Sequence, residues 1–156
     1  ETGKRVEASI KRGLEALSEY AKIMKENNIQ NYRAVATAAC RTAKNGKEFV
    51  RLVKVKTGLD LEIIDTMEEA RLNLKGALLN APKDKKYAVV YDLGGASTEV
   101  TLAQTDGHIL HTISIPWGAR NSSEAYGLKE FDEAKAERLK TDIQKYVEDF
   151  GKNSSR

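Results

Sequence analysis

The stretch YAVVYDLGGASTEVTLA, residues 87–103, decides how this chain is read. Tyr87 to Leu93 is an apolar strand, expected to be buried, that ends in an acid and a glycine, and Glu99 to Ala103 is a second strand. Between them, Gly94 and Gly95 let the backbone turn sharply and bring its N–H groups close to a ligand, while Ser97 and Thr98 add hydroxyl donors. A concave row of donors suits phosphate oxygens. A carboxylate at its edge, here Asp92, suits a hydrated magnesium ion. A bare Gly-Gly pair favours the reading as a tight turn between antiparallel strands. The flanking Asp, Ser and Thr favour the phosphate loop.

Downstream, Asp106-Gly107 is a two-residue hairpin signal, and His108 to Ile115 alternates polar and apolar as the return strand should. A last helix is expected over Asp132 to Phe150, with Ala136, Leu139, Ile143, Tyr146 and Val147 inward and the tail GKNSSR frayed. Upstream, the loop APKDKK at 81–86 is the best domain boundary, with a proline and four charges in succession. Before it, Thr66 with Glu69 spells a capping box for a helix faced by Met67, Ala70, Leu74 and Leu78. Leu61 to Ile64 is a short strand. Asn45, with Glu48 three residues on, caps a helix filled by Phe49, Leu52, Val53 and Val55 and stopped by Gly58. Tyr32 to Thr37 is a strand expected to be buried on both sides, followed by a loop through Arg41. The chain opens on a helix whose apolar stripe is Val6, Ile10, Leu14, Leu17, Ala21 and Met24, ended by Asn27 and Asn28. Strand, helix and strand in the first piece imply a parallel crossover unit; the second piece is a three-stranded meander plus helix.

Composition bounds the function. The 156 residues suit one ordinary domain's worth of core, and about 47% apolar usage with glycine counted excludes gross disorder. Twenty-six basic against 23 acidic residues leave a net charge of +3, interleaved along the chain. Bulk charge therefore gives no argument for nucleic acid or an anionic membrane. Cys40, alone, forms no internal disulfide and fits a reducing, cytoplasmic compartment. No apolar run approaches the roughly 18 residues of a membrane span, and the charged start ETGKRVEASIKRG is not a signal peptide.

Two further stretches bear on chemistry. ATAACRTAKN at 36–45 puts small residues and then Arg41 after a strand, where a guanidinium grips phosphate in two-pronged fashion; taken alone, an exposed loop arginine is the commoner case. In TMEEARL at 66–72, Glu69 stands between two roles, helix cap and catalytic base.

Together, VATAACRTAKNGKEF (35–49), GLDLEIIDTMEEARLNLKGAL (58–78), YAVVYDLGGASTEVTLA (87–103) and ISIPWGARNSSEAYG (113–127) resemble, in order, the exopolyphosphatase and guanosine pentaphosphate phosphatase family. That family belongs to the actin-like, sugar kinase and heat-shock ATPase superfamily. The resemblance implies an α/β fold made of parts of two ribonuclease-H-like (actin-like ATPase) domains, with mixed sheets flanked by helices. Residues 1–82 would be the later part of the first domain and 83–156 the beginning of the second. The chain would then be a fragment of a longer enzyme whose first phosphate loop precedes Glu1.

By the same resemblance, Glu69 orients or deprotonates the attacking water and Arg41 contacts phosphate. Gly94, Gly95, Ala96, Ser97 and Thr98 cradle the terminal phosphate, and Asp92 and Glu99 hold Mg2+. The implied activity is magnesium-dependent hydrolysis of terminal phosphoanhydride bonds in inorganic polyphosphate or guanosine pentaphosphate, by a homodimer when full length. Ala96 stands where the family usually has a third glycine, and DLGGAST is also similar to the second phosphate loop of apyrases. A nucleotide hydrolase of that type and a non-catalytic phosphate- or nucleotide-binding module are the other readings. Arg120 is one place away from the family's arginine and is not carried over. Other residues read as structural: Trp117 packed under a turn, His108 and His111 on opposite faces of a strand at the surface, Cys40 in small-residue packing, and Lys83, Lys85 and Lys86 in a solvated loop.

Overall fold

The computed structural model describes residues 7–154 apart from Lys83 and Lys129. Val6 and Lys83 thus lie outside the described residues. The elements run α1 (Glu7–Glu26), β1 (Ala34–Ala36), α2 (Ala38–Arg41), α3 (Gly46–Thr57), β2 (Leu61–Ile63), α4 (Thr66–Leu78), β3 (Tyr87–Leu93), β4 (Thr98–Gln104), β5 (Ile109–Ile115), α5 (Ala119–Tyr126) and α6 (Glu133–Ser154). They form two compact units that part between Asp65 and Thr66. The loop around Pro82 was the sequence's best boundary, but α4 packs on the strands that follow that loop and so belongs to the second unit.

In the first unit, β1 and β2 pair in parallel, Ala34 opposite Leu61 and Ala36 opposite Ile63, and the Ile64 amide extends the ladder to the Ala36 carbonyl. The core gathers Cys40, Phe49, Val53 and Leu59. The α1 stripe of Ile10, Leu14, Leu17, Ala21 and Met24 packs against it. Burying Val53 alone contributes roughly 1.5–3 kcal/mol. Gly58 ends α3 with φ at 77°, the left-handed conformation that glycine adopts without steric cost. Asn45 occupies the cap position of α3, but its side chain makes no cap hydrogen bond.

Three expectations change here. The segment after β1 is a short helix, α2, and not a loop. Val35 is 36% exposed, on the face of β1 opposite to half-buried Ala34 and Ala36, so only one face of the strand is covered. Val55 is 75% exposed, lying on the solvent side of α3 two residues beyond buried Val53.

The second unit is an antiparallel sheet ordered β3-β4-β5. Asp92 faces Glu99 across β3 and β4, and Glu99 faces Ser114 across β4 and β5. Alternation puts Glu99, Thr101 and Ala103 on the face that α4 covers, all three buried. The opposite face takes α6, where the His111 ring stacks on Phe150 at 5.1 Å between centroids. His111 is therefore packed against a helix and not a surface residue, and its Nε2 is buried without a partner. Because β3 is the edge strand, Tyr87, Val89, Tyr91 and Leu93 on that same side are exposed, which corrects the reading of β3 as a buried strand.

The hairpin after β4 is longer than two residues. The Gln104 amide bonds the His108 carbonyl, the Gly107 amide bonds the Gln104 carbonyl, and Gly107 sits at φ 101°. This is a three-residue turn closed by a left-handed glycine. Helix α6 runs on through Ser154, so Gly151 to Ser154 are helical, not frayed. Helix α5 was not anticipated from the sequence. Among the described residues, no helix is long and apolar enough to cross a membrane.

Candidate functional site

Helix α4 is seated by Ala70 and Leu74, both buried, and the same face presents Glu69 and Asn73. Glu69 is 9% exposed. Thr66 is the first residue of α4, which puts Asp65 in the cap position and Glu69 fourth in the helix. That is one place beyond the residue that reaches back in a capping box. That start does not match the Thr66–Glu69 box expected from the sequence. Glu68 instead takes the Arg71 guanidinium on both carboxylate oxygens, at 2.6 and 2.7 Å.

One turn after Glu69, Asn73 donates from Nδ2 to Oδ2 of Asp92 at 2.6 Å. Glu99, beside Asp92 on the same face and 3% exposed, accepts from Ser114 Oγ at 2.9 Å. Two adjacent carboxylates are thus met by an amide and a hydroxyl, both neutral. Neither makes an ion pair among the described residues, and each keeps one oxygen without a donor. Hard oxygen donors with uncompensated charge are what a magnesium ion requires.

The loop between β3 and β4 is shaped by α5. The amides that open any helix lack intrahelical acceptors. In α5 they find the loop: Ala119 N–H donates to the Gly94 carbonyl at 2.9 Å, and Arg120 and Asn121 N–H donate to the Gly95 carbonyl at 2.9 and 3.2 Å. Asn121 Nδ2 adds a bond to the Ala96 carbonyl at 2.9 Å. In a planar trans peptide the N–H points opposite to the C=O. Three carbonyls drawn to α5 therefore turn the amides of Gly95, Ala96 and Ser97 away from it, and these amides donate to no protein acceptor among the described residues. The partial positive charge of the α5 N-terminus lies behind them, a field that favours an anion. Gly118 makes this contact possible: a Cβ there would stand 2.6 Å from the Ala96 nitrogen and from the Gly94 oxygen.

The candidate residues differ in what they offer. Gly94 N–H is committed to the Ser97 carbonyl at 2.9 Å, closing the hairpin. Thr98, buried, donates its hydroxyl to the Trp117 carbonyl at 2.7 Å, which holds the segment before α5 against β4. The donors left to a ligand are thus the amides of Gly95, Ala96 and Ser97 and the Ser97 hydroxyl. Arg41, half-buried at the end of α2 in the first unit, donates from Nη1 to the Ile64 carbonyl at 2.8 Å, so it is positioned and not a loose surface arginine. Trp117 meets Tyr126 edge-on at 5.2 Å, the structural packing expected of it. Sequence reasoning missed Asn73, Gly118 and Asn121. Only Gly118-Ala-Arg-Asn121, a helix-opening pattern with an amide side chain at its third position, carried a local signal.

A profile of the Ppx/GppA phosphatase family matches residues 1–153. The bifunctional 3-dehydroquinate synthase/phosphatase of Fusobacterium nucleatum is 32% identical over 156 residues, covering 94% of this chain and 23% of that protein. The guanosine-5'-triphosphate,3'-diphosphate pyrophosphatase of Photobacterium profundum is 32% identical over 148 residues, covering 92% of this chain and 30% of that protein. Among solved structures, a Ppx/GppA member from Aquifex aeolicus superposes with a TM-score of 0.73 at 32% identity, over 94% of this chain and 48% of that one. An exopolyphosphatase from Cytophaga hutchinsonii superposes with a TM-score of 0.85 at 22% identity, over 92% of this chain and 46% of that one, a likeness of fold alone. The chain spans less than a third of the length of these curated relatives and about half of these solved ones. Its mixed α/β architecture is that of the actin-like ATPase fold, as the sequence implied.

Proposed function

Because the chain belongs to the Ppx/GppA phosphatase family, we propose that it carries the second phosphate loop, the metal carboxylates and the water-directing glutamate of a phosphoanhydride hydrolase. Its substrates are inorganic polyphosphate or guanosine pentaphosphate, cleaved at the terminal phosphate. The observation that carries this reading is the row of three outward amides at Gly95, Ala96 and Ser97, at the end of the hairpin that also holds Asp92 and Glu99.

The residues divide the work by chemistry. The amides and the Ser97 hydroxyl bind the terminal phosphoryl oxygens and hold them in line for attack. Asp92 and Glu99 are the residues that would hold a Mg2+ ion. When bound, that ion would neutralise charge on the phosphate oxygens. Asn73 and Ser114 fix the orientation of the two carboxylates. Glu69 accepts a proton from the attacking water, and burial keeps competing water from its carboxylate. Arg41 supplies a guanidinium for the phosphate chain.

The test is phosphate release from both substrates by the protein in its full natural length with Mg2+, beside Glu69→Gln. We expect release by the wild type and a loss of about 10²- to 10⁴-fold in kcat for the variant. Equal rates remove Glu69 from the mechanism. Saturable binding without release makes the protein a non-catalytic module, and preference for ATP or ADP makes it an apyrase-type enzyme.

A further inference from the structure

We propose that Asn121 is the positioning residue that holds the phosphate loop open to its ligand. The inference rests on the loop's proposed role in binding phosphate. Asn121 ties three backbone segments with one side chain. Its Oδ1 accepts the Gly118 N–H at 2.7 Å, and its Nδ2 donates to the Ala96 carbonyl at 2.9 Å and to the Pro116 carbonyl at 3.1 Å. Only one assignment of the amide satisfies these partners, since a backbone N–H needs the oxygen and two carbonyls need the nitrogen.

The consequence follows from peptide geometry. The Ala96 carbonyl and the Ser97 N–H belong to one rigid plane. Two helix amides hold the Gly95 carbonyl and one holds that of Gly94, but among the described residues the Ala96 carbonyl is held by Asn121 alone. Without Nδ2, that peptide is free to rotate, and the Ser97 amide leaves the row. Asn121 also fixes the segment Pro116–Gly118, on whose last residue the loop backbone rests. It touches no substrate and acts through the amide it aims.

The experiment compares wild type with Asn121→Ser, in the full natural length of the protein. Serine keeps a neutral oxygen for the helix start but is too short to reach Ala96. We expect KM for polyphosphate to rise about tenfold, the loss of roughly one hydrogen bond to the ligand, with kcat within about threefold and melting lowered by only a few degrees. Asn121→Gln, which keeps both donor and acceptor, should recover part of that loss. An unchanged KM, or a loss confined to kcat, overturns the proposal. If the serine variant melts early, amide shifts decide. Wild-type Gly95, Ala96 and Ser97 resonances should move on titration with inorganic phosphate, and Ser97 should stop responding first in the folded fraction of the variant. An identical response in both proteins also overturns it. A wild type that binds inorganic phosphate through these amides yet hydrolyses nothing removes the hydrolase reading and leaves the role of Asn121 standing.

Discussion

Asn73 of α4 holds Asp92 of β3 through a 2.6 Å hydrogen bond, tying the helix that carries Glu69 to the strand that opens the phosphate loop. Asn73→Ala should destabilise the protein by about 1–2 kcal/mol. A bond to a charged group contributes somewhat more than this, and alanine's better helix propensity returns a part. Asn73→Asp should be worse in metal-free buffer, because it sets a second carboxylate against Asp92, and should recover when Mg2+ is added. Denaturant unfolding with and without Mg2+ checks both, and a metal-independent Asn73→Asp would show that no cation sits beside Asp92.

Glu99 makes the complementary case. It is buried directly opposite Asp92 with only a hydroxyl donor, and like charges facing each other across a sheet are destabilising. Glu99→Gln should therefore raise the melting temperature in metal-free buffer while weakening the dependence of activity on Mg2+. Melting curves over a magnesium titration read both effects: wild type should gain stability with the ion and the variant much less. A variant that melts lower than wild type without metal would mean the carboxylate is already compensated.

Gly118 tests the docking of α5 on the loop. A methyl group there meets three backbone atoms of the loop at 2.6 Å, so the loop or the helix start must move. Gly118→Ala should cost about 1–3 kcal/mol and lower phosphate affinity by tenfold or more. Gly76, in open space on α4, is the control: Gly76→Ala should stabilise by roughly 1 kcal/mol and leave phosphate binding untouched.

What the sequence made legible is what is local. The α1 stripe from Ile10 to Met24, the Gly58 stop and the parallel pairing of β1 with β2 follow from periodicity, a left-handed glycine and the strand–helix–strand order. Helix α5 was not legible, because its opening amides are satisfied by carbonyls of Gly94 and Gly95 in a loop distant in sequence, with no capping side chain at its first position. The same distance hides Asn73 and Asn121, whose partners lie 19 and 25 residues away. Capping-box spacing at Thr66 and Glu69 does not match α4, whose first residue is Thr66 itself. In β3, apolar content implied a buried strand, whereas edge position leaves one face open.

Tyr126 gives a prediction in pH. Its hydroxyl donates to the Asp142 carboxylate across α5 and α6. That bond, with lesser help from desolvation and the negative charge of Asp142, holds the phenol's pKa above its ordinary value of 10.0. The folded protein therefore keeps this proton at a pH where the unfolded chain has released it. The contribution to stability is fully present below about pH 10 and is lost as the pH rises through the folded-state value. Wild type should lose melting temperature more steeply than Tyr126→Phe above pH 10, and the two should run parallel below it. In Asp142→Asn the phenolate titration should fall back toward 10.0, since both the hydrogen bond to a carboxylate and its charge are gone. Parallel melting curves throughout the alkaline range would show that the bond does not join α5 to α6 in solution.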